Sequence, residues 1–91
     1  MMSYALAIRT GLDKTLEKLA KRNKKQHELM MSKVEEIVRN PHRYKNLKKP
    51  LQHWKRVHID GSFVLTFSID EQTKTVTLED FEHHDKIYKR R

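Results

Sequence analysis

No cysteine occurs in the 91 residues. A disulfide framework and thiolate metal ligation are therefore excluded. Nor is there an apolar run near the roughly 20 residues that a membrane-spanning helix needs. Glycine and proline number two each, so turns are few and each one punctuates. Negative charge is missing from one long stretch, since no carboxylate stands between Glu36 and Asp60. Within it, "RYKNLKKPLQHWKRVHID" (residues 43–60) holds six Lys or Arg residues, two histidines and one tryptophan. A solvated surface ordinarily mixes both signs of charge.

What is present is cationic. The formal net charge is +8, with 36% hydrophobic and 35% charged residues. A field of that sign attracts phosphate backbones or anionic lipid. The apolar residues are patterned rather than scattered, which argues for a folded chain. Residues 1–91 read as one domain. The start, "MMSYALAIRTG", has an apolar patch but no basic leader, and it is short for a secretory signal, so a cytoplasmic protein is expected. The leucine face of the first helix is better spent on a core than on a membrane.

The spacing predicts the elements. "YALAIR" reads as a strand from Tyr4 to Arg9, and Thr10 or Asp13 offers a helix cap. Leu12, Leu16, Leu19 and Ala20 make one stripe of a helix that ends near Asn23. A second helix carries Met30, Val34, Ile37 and Val38 and stops at Asn40–Pro41, because the residue before proline is disfavoured in helical conformation. The period then changes to two. Trp54, Arg56 and His58 point one way, and Lys55, Val57 and Ile59 the other. Asp60–Gly61 is a turn signal. "SFVLTFSID" is a strand buried through Phe63, Leu65, Phe67 and Ile69, "DEQTK" a connection, and "TVTLEDF" a further strand that alternates Val76 and Leu78 against Thr75, Thr77 and Glu79. The expected fold is α+β: a helical hairpin packed on a small, mostly antiparallel four-stranded sheet, in the order β-α-α-β-β-β.

Alternation makes a basic, histidine-bearing face on the sheet, opposite the helices. The loop leading to it adds Arg43, Lys45, Lys48 and Lys49. Cations beside a planar aromatic suit an RNA strand, for charges hold phosphates and rings accept bases. For Trp54 itself, core packing competes with stacking. "HH" beside Asp85 invites a metal, but structural zinc wants four ligands, and adjacent strand histidines point to opposite faces. Neither a metal nor a cofactor is expected. No nucleophile elbow of a Ser-His-Asp hydrolase is present.

The stretch "NPHRYKNLKKPLQHWKRVHIDGSFVLTFSID…TVTLEDFEHHDKIY" resembles the RelE/ParE toxin superfamily, most closely its YafQ-type branch. The resemblance implies a small basic toxin partnered by an antitoxin. It also implies cleavage of messenger RNA in the ribosomal decoding site without metal, by attack of the ribose 2′-hydroxyl on the adjacent phosphate. By residue, it places His58 and His83 as functional histidines, Lys48 or Lys49 in the functional loop, and Tyr88 as a near-terminal aromatic. His84 and Arg56 complete the candidate catalytic set, while Lys45, Lys48, Lys49, Trp54, Lys55 and Tyr88 form the candidate RNA-binding set. His58 and His83 are expected to converge on one cleft. Three positions depart from the family's patterns: Ser62 where YafQ-like toxins carry an acid, Val64 where the RelE branch has an arginine, and His84 where many relatives have arginine. A non-catalytic RNA- or ribosome-binding module, and a ParE-like toxin acting on gyrase, are the competing expectations.

Overall fold

A computed structural model describes residues 3–47 and 53–83 of the protein. The elements are β1 (Ala5–Ile8), α1 (Leu12–Arg22), α2 (Lys24–Arg39), a short 3-10 turn (Pro41–Arg43), β2 (Lys55–Ile59), β3 (Phe63–Asp70) and β4 (Thr75–His83). The sheet order is β1-β4-β3-β2. β2, β3 and β4 form the expected antiparallel meander, while β1 pairs in parallel with β4 and makes the sheet mixed. β1 and β2 occupy opposite edges, so the helical pair that joins them crosses the whole sheet.

Local chemistry sets the breaks. α1 follows Gly11, whose φ of 96° is costly for a residue with a side chain. Neither expected residue caps the helix by its side chain; Asp13 instead accepts a hydrogen bond from the Gly11 amide at 3.1 Å. Asn23 closes one helix and opens the next. Its amide donates to the Leu19 carbonyl at 2.8 Å, and its side chain accepts from the Gln26 amide at 3.1 Å. Asn40 ends α2 before the buried Pro41. At the β2–β3 turn, Asp60 and Gly61 both take positive φ, the backbone of a tight hairpin.

The main core lies between the helices and one sheet face. Leu12, Leu16 and Leu19 of α1 and Met30, Val34 and Ile37 of α2 meet Ile59, Leu65, Phe67, Val76, Leu78 and Phe81. Strict alternation along β4 would bring Asp80 inward after Leu78. A bulge prevents this: Phe67 pairs with Leu78 and Thr66 with Asp80, leaving Glu79 as the extra residue. Phe81 then joins the core and stacks on Phe63 at 5.2 Å.

A polar tie holds the end of the sheet where β1 starts. Lys74 Nζ donates to Glu71 Oε2 at 2.6 Å and Tyr4 Oη donates to Glu71 Oε1 at 2.7 Å; His42 Nε2 bonds the same oxygen. One carboxylate thus joins the β3–β4 hairpin, the residue entering β1 and the 3-10 turn. The hydrogen bonds from Lys74, Tyr4 and His42 hold its pKa down at about 2, against an ordinary 4.5.

Two outcomes follow from this packing. Phe67, fully buried in the main core, should cost about 3–5 kcal/mol when truncated to alanine, read as a lower urea midpoint. For Glu71, a folded pKa below the unfolded one means stabilisation that is present above about 4.5 and disappears as pH falls toward about 2. Glu71→Gln should therefore be less stable than the native chain at pH 6, with the gap closing between pH 5 and 2. A gap that is constant with pH would contradict the tie.

Candidate nucleic-acid interface

The chain leaving α2 becomes a rail beside β2. After Pro41 it extends through Tyr44, whose ring meets Phe67 edge-on at 5.7 Å. The Arg43 guanidinium sits 5.6 Å from the centre of the Tyr44 ring. The Arg56 amide donates to the Lys45 carbonyl at 3.0 Å, and the Leu47 amide to the Trp54 carbonyl at 2.8 Å. Lys55 Nζ reaches back to the Tyr44 carbonyl at 2.9 Å and to Asn46 Oδ1 at 3.0 Å. The result is a fixed run of loop against an edge strand, with the cations of both brought side by side.

Register decides which side chains share a face. His58 lies opposite Val64, which lies opposite Glu82; Arg56 lies opposite Thr66, which lies opposite Asp80. These two rows cross the sheet on the face away from the helices. With strands about 4.8 Å apart, β2 and β4 side chains in one row stand roughly 10 Å from each other. Arg43, Tyr44, Lys45, Arg56, Val57 and His58 line an open concavity of about 300 Å³ at the β2 edge. His58 is exposed there. Burial first, and then Glu36, push the Tyr44 hydroxyl's pKa up, and that oxygen is buried with no hydrogen-bond partner among the described residues.

The structure brings His58, Arg56 and Lys45 together and separates His83 from them. His83 pairs with Phe63 and its ring contacts the Phe63 ring at 5.7 Å. That is the helix-side face, so His58 and His83 point to opposite sides of the sheet, with β3 between them. The expected convergence on one cleft fails because the bulge at Glu79 shifts the face of every later residue in β4. Two further expectations change. Trp54 packs with Leu47 and Val64 in a second small core, so the face opposite the helices is less open than alternation suggests. Lys55 donates its ammonium to the Tyr44 carbonyl and Asn46 Oδ1, which makes it a staple of the loop. Lys48, Lys49, His84 and Tyr88 lie outside the described residues. Among the described residues, no three His, Cys, Asp or Glu side chains gather to hold a metal, and no helix is long and apolar enough to cross a membrane.

Sequence reasoning passed over Asp80 and Glu82, which share the His58 face. The signal for them, an acidic pair at i and i+2, was readable, but its face depended on the bulge. Tyr44 was missed as part of the lining, since nothing in its neighbours marks it as packed against Phe67.

Known proteins resemble the chain along most of its length. A protein of Methanocaldococcus jannaschii named "Putative toxin RelE4" is 56% identical over 88 residues, covering 97% of this chain and 94% of that one. An uncharacterized protein of Methanosarcina mazei is 65% identical over 85 residues, covering 93% of this chain and 99% of that one. Among solved structures, the toxin–antitoxin complex RelBE2 from Mycobacterium tuberculosis contains a chain 25% identical to this one, with a TM-score of 0.67 over 91% of this chain and 93% of that one. No protein-family model matches.

Lys55 and Lys45 should separate experimentally. Lys55→Met should lower stability by about 1–2 kcal/mol, as for loss of hydrogen bonds from a charged donor, measured by urea unfolding. Lys45→Ala should leave stability nearly unchanged and reduce the salt slope of RNA binding by about one. The reverse pattern would return Lys55 to the RNA-contacting set.

Proposed function

The chain belongs to the RelE/ParE toxin superfamily, and from that membership we propose that it is a metal-independent endoribonuclease that cleaves messenger RNA at the ribosome. A small antitoxin is its proposed protein partner, as the RelBE2 toxin is found in complex with one. The observation that carries this reading is the β2 edge, where exposed His58 shares one concavity with Arg43, Lys45 and Arg56. An excess of fixed cations also suits an acidic antitoxin surface, which would cover the same edge.

The chemistry asks for two proton movements. The attacking 2′-hydroxyl loses a proton, and the leaving 5′-oxygen gains one. Histidine titrates near neutrality, and His58 serves at one of these ends. Charge that builds on the phosphoryl oxygens is stabilised by Arg56 in the same concavity, with Arg43 and Lys45 holding flanking phosphates. His83, on the other face, takes no part in the transfer at His58. His84, Lys48, Lys49 and Tyr88 remain in the proposal on the family resemblance alone. A non-catalytic ribosome-binding module is the second reading, and it is favoured by the turning away of His83.

Single-turnover cleavage on programmed ribosomes tests both. His58→Ala should lose about 10²–10⁴-fold, the usual contribution of a general acid or base. His83→Ala should stay within a few-fold of the native chain. Equal losses in both variants would show that the two histidines act together, against the face assignment. Binding without cleavage by the native chain would select the non-catalytic reading.

A further inference from the structure

We propose that the groove between α2 and the outer edge of β2 is a nucleobase subsite that receives the base next to the phosphate held at His58. The inference rests on the RNA-cleaving reading above. The groove has a volume of about 120 Å³ and is lined by Leu29, Ser32, Lys33, His58, Ile59 and Asp60. His58 is in the wall of this groove and also in the wall of the cationic concavity. An RNA phosphate lying among Arg43, Lys45 and Arg56 therefore has the groove as its next neighbour, over the edge of the sheet.

The chemistry changes across that edge. Leu29 is 41% exposed, an apolar side chain left partly in water, while Ile59 beside it is fully buried. A planar base covers such a surface with its face and needs hydrogen-bonding groups at its rim. Ser32 supplies a donor and an acceptor, Lys33 a donor and Asp60 an acceptor. The Asp60 carboxylate repels phosphate, so the groove suits a base rather than the backbone. Lys33 Nζ lies 3.7 Å from Glu36 in an exposed i,i+3 pair, a contact weak enough to yield to a ligand.

The opposite side of this face carries acidic side chains. Asp80 and Glu82 occupy the same sheet face as Arg56 and His58, two strands away. The concavity formed by Arg43, Lys45, Arg56 and His58 places the phosphate path at the β2 edge. A path held at that edge passes directly beside the groove.

The probe is a message with one 4-thiouridine adjacent to the cleaved phosphate and a 2′-deoxynucleotide at the point of attack, which removes the nucleophile. It is loaded on programmed ribosomes, bound by the native chain and irradiated. Crosslinks in the peptide that spans residues 29–33 are the expected result. Bound RNA that crosslinks only to β4, or nowhere on α2, overturns the subsite and leaves the RNA-cleaving reading standing. No bound message, together with no cleavage of an all-ribose message, overturns both. A second arm fills the groove with Ser32→Trp. This variant should raise KM about tenfold or more, as for loss of one stacked base, and flatten the preference among the four nucleotides at that position. Met31→Trp adds the same bulk to the same helix at a residue outside the groove lining, 39% exposed, and should keep the native preference. An unchanged preference in Ser32→Trp would also overturn the subsite.

Discussion

The middle of strand β3 is dry on both sides, and the rest of the architecture answers to that constraint. Val64, Leu65, Thr66 and Phe67 are all fully buried. Leu65 and Phe67 are covered by the helical hairpin, and Val64 by Leu47 and Trp54. A strand buried on both faces has to sit inside the sheet, with a strand on each edge and a layer above and below. The helices supply one layer, and the rail that follows Pro41 brings Leu47 to the other. Because the rail must reach over β3, it has to run along β2. The cations of the loop and those of the strand are thereby gathered at one edge.

The electrostatic design follows from this placement. A net charge of +8 spread evenly would attract any polyanion without direction. Here the cations around His58 come from the rail and β2, while Asp80 and Glu82 project from β4 on the same face. Cations on β2 and carboxylates on β4, separated by the uncharged Val64 and Thr66 of β3, give this face an electrostatic polarity from one strand to the other. The side chains that make the surface are not those that hold the fold: Lys55 and Trp54, within the same basic stretch, are occupied in securing the loop.

Glu71 does comparable work at the other end of the sheet. Its carboxylate collects donors from the hairpin, from Tyr4 and from His42, three segments far apart in sequence. The Tyr4 amide also donates to the Val38 carbonyl at 2.8 Å, so the residue that enters β1 is held to α2 as well. Such ties matter because β1 is short and lies at an edge, with Leu6 and Ile8 each about two-fifths exposed. Little apolar burial holds that strand, and hydrogen bonds set its position.

Much was legible in the chain itself. The change from helical spacing before Asn40 to two-residue spacing after Trp54 placed both helices and the three strands of the meander, and a short apolar run placed β1. Asn23, Pro41 and the Asp60–Gly61 pair marked the breaks for reasons local to their own backbones. The alternation that puts Arg56 and His58 on one face was legible in the chain, and the register bears it out. What spacing could not supply was β1 running parallel to β4, the bulge at Glu79 and the commitments of Trp54 and Lys55. Each depends on contacts between residues far apart in sequence: the bulge forms because Phe81 gains a place in the core that Asp80 would otherwise face. That single inserted residue turns His83 toward the helices and Glu82 toward His58. The sequence by itself determined the elements and their chemistry, since those follow from periodicity and side-chain type. Only the tertiary structure decided which histidine stands with the cations, because a face in a sheet is set by pairing register and not by the order of residues along one strand.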